Sequence, residues 1–145
     1  MDNVEKDKEV IIKENDILAQ YIKELKEDTT LTQFNLKEKA LLCSSIWSKW
    51  LSYLYKEKEN LNRISETKQK ILQSKISKNT TNISSLRLKS EDKISENDET
   101  LKKLNLLYKK TQTNIDYIER ALNILQNFTF SIKNSIEILK LNCEH

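Results

Sequence analysis

The chain has 145 residues, 37% hydrophobic and 32% charged, with a formal net charge of +3 and neither Gly nor Pro. Without Gly, tight hairpin turns and phosphate-cradling loops lose the residue that reaches positive φ at no steric cost, which argues against β architectures and Gly-loop nucleotide sites. No apolar run approaches the roughly 18 residues of a membrane span, and residues 1–13 lack a signal-peptide core. Cys43 and Cys143 suggest no disulfide framework, so an all-α cytoplasmic protein with reduced thiols and one modest core is expected.

In chain order, Val10, Ile11, Ile17, Leu18, Tyr21, Ile22 and Leu25 recur at three- and four-residue spacing and predict an amphipathic helix over Asn3 to Lys26. Asp28-Thr29-Thr30 breaks the pattern and supplies side chains able to cap the next helix. That second helix is expected to begin between Thr30 and Asn35 and to run to about Ser77. Its apolar stripe is broad through Leu36, Ala40, Cys43, Ile46, Trp47, Trp50, Leu51 and Leu54, then thins to Leu61, Ile64, Ile71 and Leu72. Residues 78–99 are polar and Ser/Thr/Asn-rich and read as a loop, with Ile83, Leu86 and Leu88 as a short piece able to order.

The C-terminal helix carries the clearest signal. Leu101, Leu104, Tyr108, Thr111, Ile115, Ile118, Leu122, Leu125, Thr129, Ile132, Ile136 and Leu139 alternate steps of three and four, a heptad seam. Leu107, Ala121, Ile124, Phe128 and Phe130 widen it into a second stripe. Such a helix can touch two neighbours, as in a bundle or a closed ring, or bury both stripes within one chain. The division expected is 1–78, an N-terminal helical region; 79–99, a polar loop; and 100–145, an oligomerisation helix. Leu104, Tyr108, Ile115, Ile118, Leu122, Leu125, Phe128, Phe130, Ile132, Ile136 and Leu139 are the expected subunit contacts.

Charge is unevenly spread. Residues 1–46 sum to −3, residues 47–90 to +7, and residues 91–145 to −1. The middle block is either a solvated lysine-rich face or a polyanion-binding strip. Nothing points to catalysis or to a cofactor. The one His is His145 at the C-terminus, no Cys/His spacing suits zinc, and the carboxylates alternate with Lys as solvated faces do. Trp47 and Trp50 lie three apart on one face and are expected in packing rather than base stacking, as are Phe128 and Phe130. Tyr53 and Tyr55 adjoin the basic stretch, where stacking on bases is a second reading. Lys133 is expected to snorkel from the apolar C-terminal stretch.

Two stretches resemble a known family. One is Trp47-Ser48-Lys49-Trp50-Leu51, followed by Leu61, Arg63, Ile64 and Leu72. The other is Ile115-Asp116-Tyr117, then Ala121-Leu122 and Phe130-Ser131-Ile132-Lys133-Asn134-Ser135-Ile136. Both resemble the UvsY-like recombination mediators of large tailed phages, over roughly residues 36–79 and 105–142. The resemblance implies binding to single-stranded DNA coated by a single-strand-binding protein, and loading of a RecA-like recombinase in the infected host cell. It also implies a homo-oligomeric ring, a heptamer or hexamer, assembled through the C-terminal region.

The family's basic motif falls here on Gln73, Ser74, Lys75 and Ile76, with Gln73 where the best-known relative has a cation. Ile76, Lys78, Asn79 and Thr81 stand where many relatives have aromatics and a Gly. Backbone electrostatics should therefore dominate over base stacking. The expected phosphate contacts are Lys56, Lys58, Arg63, Lys68, Lys70, Lys75, Lys78, Arg87 and Lys89. A coiled-coil scaffold without nucleic-acid binding is the alternative, and attachment to anionic lipid a third.

Overall fold

The computed structural model describes residues 17–79 and 99–144, with side-chain placement for all of these except 77–79. Three helices make up the described residues: α1 over residues 17–28, α2 over Leu36–Asn79 and α3 over Glu99–Glu144. The expected N-terminal half of the first helix, the loop beyond Asn79 and its Ile83, Leu86 and Leu88 lie outside the described residues. None of the described helices is long and apolar enough to cross a membrane.

The turn from α1 to α2 shows how a chain without Gly ends a helix. The last carbonyls of a helix lack intrahelical partners, and Gly commonly lets the chain fold back to supply them. Here the Thr29 and Thr30 amides reach the Leu25 and Glu27 carbonyls at 3.0 and 3.4 Å, and side chains add to them. The Thr29 hydroxyl donates to the Leu25 carbonyl at 2.8 Å, Thr30 to Lys26 at 2.5 Å, and the Lys39 ammonium to Glu27 at 3.0 Å. The threonines expected to cap the second helix thus close the first one. Asn35, just before α2, accepts from the Thr32 amide at 2.7 Å and donates to the Thr30 carbonyl at 3.1 Å, folding the intervening turn.

Two compact units form, and each draws on both long helices. One comprises residues 17–56 and 114–144 among the described positions, the other residues 57–79 and 99–113.

In the first unit, Tyr21 and Leu25 of α1, Ile46, Trp50 and Leu54 of α2, and Ile115, Ile118, Ala121, Leu122, Leu125, Phe128 and Ile132 of α3 are buried. Trp50 is fully buried, with its ring 5.9 Å from that of Tyr21 and 5.4 Å from that of Tyr53. A polar cluster seals its edge. Trp50 Nε1 donates to Asp28 Oδ2 at 2.8 Å, and Tyr53 donates to Glu24 Oε1 at 2.8 Å. Lys49 Nζ lies 2.7 Å from Asp28 and 2.8 Å from Glu24. Burial alone would lower the Lys49 pKa, but its hydrogen bonds and attraction to Asp28 and Glu24 hold it above the usual 10.5. A carboxylate at a helix C-terminus is normally unfavourable; the ammonium and the indole N–H offset that at Asp28.

Asp28→Ala strands the indole N–H of Trp50 where water cannot reach it. The expected loss is about 1–3 kcal/mol, read as a lower urea midpoint, with Asp28→Asn losing less because an acceptor oxygen remains. An unchanged midpoint for Asp28→Ala would refute the latch.

In the second unit, Ile64 and Ile76 of α2 and Leu101 and Thr111 of α3 are buried, as is the Glu57 side chain. Thr111 is tolerated inside because its hydroxyl donates to the Leu107 carbonyl at 2.9 Å, one turn back. Among the described residues no buried side-chain nitrogen or oxygen lacks a partner.

Candidate nucleic-acid interface

Among the described residues, the cations are unevenly divided between the two compact units. The described part of the second unit holds ten Lys and Arg against four carboxylates, and that of the first holds nine against eight. The basic strip read from the sequence belongs mainly to the second unit, on the part of α2 where the apolar stripe is thin.

Helical geometry divides the expected phosphate contacts. Arg63 and Lys70 are seven residues apart, two turns and about 10.5 Å along the axis, and both are exposed. Arg63 donates to Glu59 at 2.7 Å, but both side chains are more than 60% exposed. Such an i,i+4 pair contributes about 0.3–0.5 kcal/mol, too little to hold the guanidinium against a phosphate. Lys68 and Lys75, also seven apart, are half-buried, and Lys75 already interacts within the chain. Lys58 is exposed, and Lys56 is exposed in the other unit. Lys78 lies in the last turn of α2, and Arg87 and Lys89 lie outside the described residues. At the position of the family's basic motif, Gln73 and Ser74 are exposed and Ile76 is buried, leaving Lys75 as the one cation of the four.

Aromatic stacking has little to work with. Tyr53 is committed to Glu24, Tyr21 and Trp50, so the second reading entertained for it fails. Burial and then the hydrogen bond to Glu24 raise the pKa of its hydroxyl. Tyr55, by contrast, is 65% exposed. Trp47 and Trp50 part company: Trp50 is core, while Trp47 lies against a shallow groove with Cys43, Ser48, Gln126, Thr129 and Phe130.

The α3 stripe is likewise divided. Ile115, Ile118, Leu122, Leu125, Phe128 and Ile132 are buried within the chain and cannot serve as a free subunit surface. Leu104, Tyr108 and Ile136 are half-buried, whereas Phe130 and Leu139 are more than half exposed, as are Ile138 and Leu141. Lys133 is exposed.

Sequence reasoning passed over four lysines, Lys102, Lys103, Lys109 and Lys110, at the start of α3. The net charge of −1 over residues 91–145 hid them behind acidic residues on either side. A narrower window would have found them, since residues 100–115 contain no Asp or Glu. No cluster suited to a metal ion occurs among the described residues.

The family model for "Recombination, repair and ssDNA binding protein UvsY" matches residues 24–144. No curated protein sequence matches significantly. A crystal structure of the bacteriophage T4 recombination mediator protein UvsY superposes with a TM-score of 0.72 at 20% identity, covering 86% of this chain and 98% of that one. That identity speaks for the all-α fold alone, while the sequence match spans most of the chain. With α2, α3 and their charged and apolar faces all inside the matched region, the chain belongs to the UvsY family.

Proposed function

We propose that this protein is a recombination mediator that holds single-stranded DNA through the basic unit and helps a RecA-like recombinase displace the single-strand-binding protein. The observation that carries this reading is the excess of ten cations over four carboxylates among the described residues of one unit of a UvsY-family chain. Exposed Arg63 and Lys70 engage phosphates without reading bases, so binding is indifferent to sequence and sensitive to salt. Subunits associate through the apolar side chains that α3 leaves in water, Phe130 and Leu139 with Ile136, rather than through the part of the seam already buried. Repetition of a weak basic surface around such an oligomer, a ring of six or seven copies in this reading, converts modest single contacts into tight wrapping. A strand bent around the ring loosens the protein coating it and offers the recombinase a starting point. The setting is the cytoplasm of an infected host.

The test is fluorescence anisotropy of labelled oligo-dT titrated with salt. Affinity should fall steeply with log[salt], and Arg63→Glu with Lys70→Glu should weaken binding by at least about tenfold and flatten the slope by about 0.7 per lost contact. Failure of the wild-type protein to bind at low salt would leave a helical scaffold as the better account.

A further inference from the structure

On an ordinary solvated helix face, Lys and Glu interleave so that each cation finds a partner a turn away. The Glu59–Arg63 pair on α2 follows that rule. The first four turns of α3 do not. Between residues 100 and 115 there are four lysines and no carboxylate, and the nearest acidic neighbour on the N-terminal side is Glu99. Lys102 reaches Glu99 only at 3.9 Å, with the two side chains 55% and 80% exposed, an ion pair of little consequence.

The buried neighbours fix which way this stretch faces. Leu101 and Thr111 are buried and Leu104, Leu107 and Tyr108 half-buried, so one side of the helix is committed to the protein. Lys102 and Lys109, seven residues apart, share an exposed face. Lys103 and Lys110 are half-buried and already interact within the chain. The exposed pair thus repeats on α3 the spacing of Arg63 and Lys70 on α2, within the same compact unit.

We propose that Lys102 and Lys109 form a second phosphate-binding row, so that the basic unit contacts a single strand from α3 as well as from α2. The inference rests on the DNA-binding reading above and extends it to a helix whose expected role was assembly alone. The ligand chemistry is that of a flexible polyphosphate backbone. Two ammonium groups about 10.5 Å apart along the axis repel each other only weakly at physiological salt, where the Debye length is about 8 Å. A strand carrying regularly spaced charge neutralises both. Lys supplies a point charge without the planar fork that Arg uses to read base edges, which suits contacts indifferent to sequence.

The test uses the full-length wild-type protein, acetylated with and without saturating oligo-dT and read by mass spectrometry. Lys102 and Lys109 should be protected, whereas the exposed Lys37 and Lys133 of the other unit stay reactive. In anisotropy titrations, Lys102→Gln with Lys109→Gln should flatten the salt dependence by about 1.4 in slope, two contacts at about 0.7 each for single strands. Lys102→Arg with Lys109→Arg should retain the wild-type slope. If both lysines stay as reactive with DNA as without, while Arg63→Glu and Lys70→Glu still weaken binding, the α3 row is refuted and the α2 reading stands. If the wild type binds no oligo-dT at low salt, both fall together.

Discussion

Trp50→Ala is expected to destabilise the protein by about 3–5 kcal/mol, the range for removing a large aromatic from a closed core. Trp50 is fully buried, packs its ring against Tyr21 and Tyr53, and directs its one polar atom to Asp28. Truncation removes the aromatic contacts, opens a cavity and leaves the Asp28–Lys49 pair without its indole donor. The loss is a large part of the roughly 5–15 kcal/mol that holds a typical domain folded. Urea denaturation followed by circular dichroism measures it. Trp47→Ala is the control: at 37% exposure beside a shallow groove, its loss should cost about 1 kcal/mol. Equal losses at the two positions would show that the Trp-x-x-Trp pair works as a unit rather than as one core residue and one surface residue.

Phe130→Glu combined with Leu139→Glu should dissociate the proposed oligomer while leaving the subunit folded. Both side chains are more than half exposed in the single chain, so a charge there disturbs no core. Burying each against another subunit is worth about 1.5–3 kcal/mol, and losing both weakens each interface by about a hundredfold or more at 1.4 kcal/mol per decade. Sedimentation velocity should show a shift to smaller species with the helical circular-dichroism signal retained. Ile118→Glu, in contrast, should unfold the protein, because Ile118 is fully buried within the chain. Assembly that survives the double substitution would move the interface to other apolar side chains such as Leu41 and Leu42.

The local features of this chain were legible in its sequence. A stripe recurring every three or four residues specifies a helix and its apolar face wherever the helix ends up, because that period is a property of the backbone itself. The expectation of helices without strands follows from such periodicity and from the lack of Gly, and α2 and α3 start and stop within a few residues of where the pattern does. The concentration of positive charge after Trp47 was equally plain, since charge needs only counting.

The tertiary structure decided which neighbour covers each face. Periodicity marks Ile118 and Leu139 alike as seam positions; only packing places one wholly inside and leaves the other in water. The partners of Trp50, Lys49 and Tyr53 lie 22, 21 and 29 residues away in sequence, and no local rule pairs them. Within the Trp-Ser-Lys-Trp run that reads as a family signature, Lys49 and Trp50 prove to form the polar clamp between α1 and α2, while Trp47 lies at the surface. Only folding places the lysines of α3 in one unit with the cations of α2, some forty residues earlier in the chain.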